Sequence, residues 1–120
     1  MLFRSAEYAK VLEVAPDAVD ARVGLGVCLR GLGKPQDAEH EYRKALESAP
    51  NHAAALFDLA VLEADFLNKK SDALPLFEKY LDVCASDDPQ KPSAEKYVRE
   101  IKSAADAKGG ETARAEGDAP

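Results

Sequence analysis

Apolar residues recur at intervals of three and four along most of the chain, the spacing that puts them on one side of a helix. Residues 20–32, DARVGLGVCLRGL, and 54–67, AALFDLAVLEADFL, both follow it. Two further stretches resemble each other closely: residues 7–16 read EYAKVLEVAP, and thirty-four positions later residues 41–50 read EYRKALESAP. A third, weaker copy, LFEKYLDVCA at residues 76–85, lies thirty-five positions further on, so one residue has been inserted, near Asn68. Self-similarity at this period marks a repeat architecture, in which each unit buries its apolar side only against its neighbours.

The punctuation between the periodic stretches agrees. Pro16-Asp17 and Pro50-Asn51 should each stop one helix and cap the next, since Pro has no amide donor and Asp or Asn can accept the free N–H groups. Gly33-Lys34-Pro35 predicts a tight turn inside one helix pair. Ala94, Tyr97, Val98, Ile101 and Ala105 form one stripe in residues 93–107, and a closing helix with a polar outer face is what an open stack requires. Residues 108–120 show no periodicity and are expected to form an unstructured tail. The expected fold is all-α, a string of antiparallel helix hairpins in one helical domain over residues 1–107. Within it lie a half repeat at 2–16, a full repeat at 19–52, a degenerate repeat at 53–86 and a capping helix at 93–107.

The pattern resembles the tetratricopeptide repeat (TPR), a 34-residue unit of the form W-x2-L-G-x2-Y, then A-x3-F-x2-A-x4-P. In residues 19–52, Leu25 and Gly26 match the L-G pair, Leu29 stands for Tyr, and Ala38, Tyr42, Ala45 and Pro50 match the second half. Arg22 takes the place of Trp. The next unit supplies Leu56, Leu59, Ala60, Ala73, Phe77 and Tyr80 but lacks the closing Pro. The resemblance implies a right-handed, TPR-like α-solenoid. The acidic, Ala-rich end of the chain also resembles bacterial TPR proteins of envelope-spanning machines, of the gliding-motility or pilus-assembly type.

Composition narrows the function. The chain has 120 residues with 46% hydrophobic content, and 16 basic against 22 acidic side chains give a net charge of -6. No basic cluster offers a footprint for nucleic acid. No apolar run approaches the ~20 residues that span a bilayer. Nothing at Met1 reads as a secretion signal, so the cytoplasm is the expected compartment, or the periplasm if the chain is a trimmed piece of a longer protein. Cys28 and Cys84 have no CxxC partner, and His40 and His52 no ligand at metal-binding spacing, so neither metal nor cofactor is expected. Phosphate loops, dinucleotide turns, HExxH and GxSxG are missing, and Glu39, Glu41 and Glu47 read as a solvated helix face beside Lys44. An enzyme is not expected.

What the resemblance implies instead is a partner protein. Stacks of this kind hold a peptide or helix in the concave groove lined by the first helix of each hairpin. Mapping that face gives Asp20, Val23, Val27 and Arg30, then Ala54, Phe57, Val61 and Asp65, apolar in its middle. The Lys/Asn clamp with which some members hold a partner's C-terminal carboxylate is replaced by Val23, Val27 and Asp58. The groove is expected either to accept a partner's apolar face or to be filled by this chain's own Tyr97, Val98 and Ile101. An alternative role is a structural subunit that associates weakly with itself through Leu2, Phe3, Tyr8, Val11 and Leu12, where Arg4 replaces the usual small residue.

Overall fold

The computed structural model describes the backbone of residues 2–118 and the side chains of residues 6–106. Six α-helices follow one another: α1 (Leu2–Val14), α2 (Val19–Gly31), α3 (Pro35–Ser48), α4 (Ala53–Val61), α5 (Lys70–Val83) and α6 (Lys91–Asp118). A π-helical turn, Leu62–Phe66, continues α4. Among the described residues there is no strand, and each helix packs on the one before it. Short turns between packed neighbours make them antiparallel, the all-α stack of hairpins that the periodicity predicts. α2 also touches α4, so the first helices of successive hairpins lie side by side.

The loops show how the sequence directs this. The Ala18 N–H donates to the Ala15 carbonyl (3.0 Å) and the His52 N–H to the Ala49 carbonyl (3.1 Å), closing turns whose central residues are Pro16-Asp17 and Pro50-Asn51. Proline sets the backbone angle that the second turn position needs. Because Asp17 and Asn51 are used in these turns, neither is the cap expected of it: the N-cap residues are Ala18 and His52. Gly33, with φ +78°, closes α2. The Lys34 N–H reaches back to the Leu29 carbonyl and the Gly33 N–H to that of Arg30. Asn68 (φ +54°), one of the few residue types that accept a left-handed backbone, takes the same role thirty-five positions later.

The extra residue of the second repeat is not at Asn68 but in the π turn before it. Ala60 is thirty-four positions after Gly26, whereas Ala73 is thirty-five after Ala38. Between them the Leu67 N–H donates to the Leu62 carbonyl, five residues back, at 3.0 Å. A π turn takes up one residue without breaking the helix.

Two apolar clusters hold the stack. Val23, Ala38, Tyr42, Ala45, Ala55, Leu59 and Leu62 form one, between α2, α3 and the α4 helix. Leu56, Phe57, Ala60, Ala64, Ala73, Phe77, Tyr80, Ala94 and Ile101 form the other, between the α4 helix, α5 and α6. Leu46 and Leu76 touch both. Ala38 and Ala73 are fully buried at the crossings where a larger side chain would hold the helices apart. The ring of Tyr42 lies on Gly26 so closely that an added Cβ would stand 2.5 Å from its Cε1. Cys28 is buried and Cys84 half-buried, both as free thiols. α6 continues past Ala107, where the unstructured tail was expected, to Asp118. No proline intervenes before that point, and Glu, Ala and Arg favour helix. The radius of gyration is 17.1 Å, above the ~14 Å of a compact domain of this length, as an open stack with a long last helix requires.

Ion pairs clip the hairpins together. Arg22, at the position of the family's Trp, donates to Glu41 on α3 (2.8 Å) and to the Pro16 carbonyl (3.0 Å). Glu63, at an otherwise apolar position, is fully buried in the π turn. Its Oε1 accepts from Arg43 of α3 at 2.5 Å, while its Oε2 has no partner. Glu39 accepts from the same Arg43 and from Lys69, so it is part of a bridge and not the free solvated carboxylate expected. Burial pushes the Glu63 carboxyl up; Arg43 pulls it down, Glu39 and Asp72 push it further up, and the net direction is up. For Glu39, burial also pushes up, but the bonds and charges of Arg43 and Lys69 outweigh it and the carboxyl is lowered.

Two outcomes are expected from this packing. Gly26→Val should cost ~1–3 kcal/mol, because fully buried Tyr42 has no space to retreat into, and thermal unfolding should show a drop of several degrees. Gly24→Ala meets the half-buried ring of Tyr8, which can swing outward, and should cost less. A carboxyl raised on folding binds its proton more tightly in the folded chain, so its contribution is present at acid pH and is lost as pH rises through the folded value. Glu63→Gln should therefore gain stability relative to the parent between the ordinary carboxylate range and neutrality. Arg43→Ala, which leaves Glu63 buried and unpaired, should lose ~1–3 kcal/mol at neutral pH and less in acid, as denaturant titrations at several pH values would show.

Candidate functional site

The side chains mapped to the groove stand on α2 and the α4 helix, which touch each other, and they divide into two sets. Val23 and Phe57, each 8% exposed, belong to the two cores. Phe57 packs edge-on against Phe77 (6.0 Å between ring centres) and tilts onto Tyr80 (5.2 Å). They hold the helices together and present little to a partner. Val61 is half-buried against the same core, and Ala54 is exposed. Val27, Asp20 and Asp65 are open to solvent, and Arg30 is half-buried.

The C-terminal helix accounts for part of that division. Ala94 and Ile101 of α6 are buried in one cluster with Phe57, with Tyr97, Val98 and Val61 packed against it. Tyr97 stacks on Phe77 at 4.5 Å, and its hydroxyl donates to Asp65 Oδ2 at 2.5 Å. Burial, then that bond to a carboxylate, pushes the Tyr97 hydroxyl up to about 12. α6 therefore closes the Phe57 side of the second hairpin. A cleft of about 90 Å³ remains between it and the π turn, lined by Asp65, Lys70, Tyr97 and Glu100 among others. Small-molecule sites occupy ~300–1,000 Å³, so this cleft holds water at most.

Toward α2 two apolar side chains are exposed, Val27 at 38% and Phe66 at 52%. The guanidinium of Arg30 lies 5.7 Å from the centre of the Phe66 ring, a cation–π pair across the two hairpins. Phe66 was missed because the mapping assumed 3.6 residues per turn throughout, whereas the π turn rotates everything after it by about one residue, ~100°. Only the thirty-five-residue spacing signals it in the sequence.

Two polar groups lie close to Arg30, Asp58 and the Tyr42 hydroxyl. Asp58 is half-buried, and burial raises its carboxyl; Arg30 and His52 pull it back through their charges alone, with no hydrogen bond to it. Tyr42 comes up from α3 beside it. Its hydroxyl is buried without a hydrogen-bond partner, and desolvation followed by the Asp58 charge raises it strongly. At the other end His52 caps α4. Its Nδ1 accepts the Ala55 N–H at 3.1 Å, which leaves the Nε2 hydrogen to Asp20, 2.9 Å away. Among the described residues no group of three His, Cys, Asp or Glu side chains could hold a metal ion, and no helix is long and apolar enough to cross a membrane.

Comparison with known proteins agrees with this architecture. No sequence relative is found among curated proteins. The fold is similar to that of the type III secretion translocator chaperone SycD of Yersinia enterocolitica, with a TM-score of 0.74 at 14% sequence identity, over 82% of this chain and 69% of that one. The tetratricopeptide repeat model matches residues 17–86, from the turn before α2 to the residues just after α5. With more than half of its length matched, and with Tyr42 seated on Gly26 between paired helices, the chain belongs to the tetratricopeptide repeat family.

Proposed function

We propose that the chain is a non-catalytic scaffold that holds a segment of another protein, a peptide or a helix, in the open half of its concave channel. The observation that carries this reading is the exposure of Val27 and of Phe66, which Arg30 of the same helix as Val27 covers, while larger apolar residues such as Phe57 are buried. An apolar strip framed by Asp20, Arg30 and Asp65 suits helix-in-groove or extended-peptide docking. Val23, Phe57 and Val61 support the channel from below. A repeat fold that resembles a secretion chaperone is in keeping with a protein partner. Self-association is the second reading, favoured by Val11 and Val14, 45% and 89% exposed on α1. Leu2, Phe3 and Arg4, on which it also depends, have side chains outside the described residues.

The two sets of groove residues should separate by experiment. Peptides selected from a displayed random library should lose ~1–3 kcal/mol of affinity with Val27→Asp or Phe66→Ala, at unchanged melting temperature. Phe57→Ala should act on the fold, costing ~3–5 kcal/mol of stability, since it empties a core position. Binding indifferent to Val27→Asp and Phe66→Ala together would exclude the channel.

A further inference from the structure

We propose that the channel reads a basic side chain of the segment it holds, a Lys or Arg flanked by apolar residues, which seats on Asp58 and the Tyr42 hydroxyl. The inference rests on the channel being the docking site and goes on to specify the partner's chemistry.

Charge is the first argument. The side chains of this face include three carboxylates, Asp20, Asp58 and Asp65, and one guanidinium, Arg30, with the His52 imidazole near Asp58. Two of the three are already engaged: Asp20 receives the His52 ring hydrogen and Asp65 the Tyr97 hydroxyl. Among the described residues Asp58 has neither a hydrogen bond nor an ion pair to complete it. Arg30 lies over the Phe66 ring and, like the His52 imidazole, acts on Asp58 only through its field.

The second argument is independent of the carboxylates. The Tyr42 hydroxyl is fully buried, has no hydrogen-bond partner, and lies among Asp58, Arg30 and Cys28. A buried polar group left unpaired is unfavourable, and a ligand that supplies the missing bond recovers that cost. The two unmet groups share one complement. An ammonium or guanidinium only donates, the carboxylate only accepts, and a hydroxyl accepts as readily as it donates, so one cation satisfies both. An acidic segment would instead bring its charge against all three carboxylates. The apolar residues on either side of the basic one would lie on Val27 and Phe66.

A displayed random-peptide library panned on the folded chain tests this. The enriched peptides should carry a Lys or Arg between apolar residues. Asp58→Asn should weaken them at least tenfold, and replacing that Lys by norleucine should cost as much in the parent and almost nothing in Asp58→Asn. Unspecific attraction to a chain of net charge -6 would respond as much to Asp82→Asn, on the exposed side of α5, so equal effects of the two variants overturn the inference. Peptides weakened by Val27→Asp but not by Asp58→Asn overturn it while leaving the channel as docking site. Peptides indifferent to Val27→Asp, or a library that yields no binder with a basic residue, overturn it as well. The melting temperature of Asp58→Asn should not fall, because the substitution removes a half-buried charge without changing its shape.

Discussion

The seat of Tyr42 on Gly26 is the contact on which most of the molecule depends. An aromatic ring from the second helix of a hairpin is pressed onto the first helix where that helix has no side chain, so the two backbones approach closely and α3 is held at one depth. That depth places Ala38 and Ala45 in the same crossing, where nothing larger would fit. It also sends the hydroxyl of Tyr42 through the hairpin to the next first helix, beside Asp58. A Phe at this position would pack equally well and bring no polar atom to the channel. The ring thus packs the core while its buried oxygen lies close to Asp58 and Arg30.

The insertion in the second repeat has wider consequences than its length suggests. Placed in a loop, an extra residue would have been absorbed locally. Placed inside a helix, it forces a π turn, and everything after Leu62 is rotated relative to the first repeat. Phe66 is brought out over Arg30, and Glu63 is turned into the stack. The buried carboxylate is tolerable because Arg43 reaches it from α3, and Arg43 is itself held by Glu39, which Lys69 also bridges. The irregularity that makes this repeat a poor match to its family is what supplies the channel with its exposed aromatic ring.

How much of this was legible follows from the kind of information each feature needs. Gly26, Ala38, Tyr42, Ala45 and Pro50 announce themselves by spacing, because a 34-residue period repeats the same contact and each residue's size states its place in it. Spacing also reported that a residue had been inserted. It could not say where, since a loop at Asn68 and a turn at Leu62 have the same count. The burial of Val23 and Phe57 was not legible either: a residue on the concave side of one helix is also near the next helix, and only the crossing distance decides which it touches. The capping role of His52 was not legible because a histidine cap has no marked sequence pattern, unlike Ser, Thr, Asp or Asn. Glu63 could not be recognised as buried, because its partner Arg43 is twenty residues away, on another helix.

The two ends of the concave face have been treated differently by the chain itself. At the second hairpin, α6 packs on α5 where a further repeat would stand, and its Ala94 and Ile101 complete the core around Phe57 and Phe77. An uncovered last hairpin would expose that core, so a helix with one apolar stripe and a charged outer face is the cheapest closure. This closure gives up the concave surface beneath it. At the first hairpin nothing of the kind occurs, and Val27 remains open beside Phe66. The apolar surface left exposed is small, and small exposed apolar areas are ordinary on soluble proteins. What distinguishes this one is its polar company close to Arg30, the half-buried Asp58 carboxylate and the fully buried Tyr42 hydroxyl, which lacks the partner that interior polar groups otherwise find.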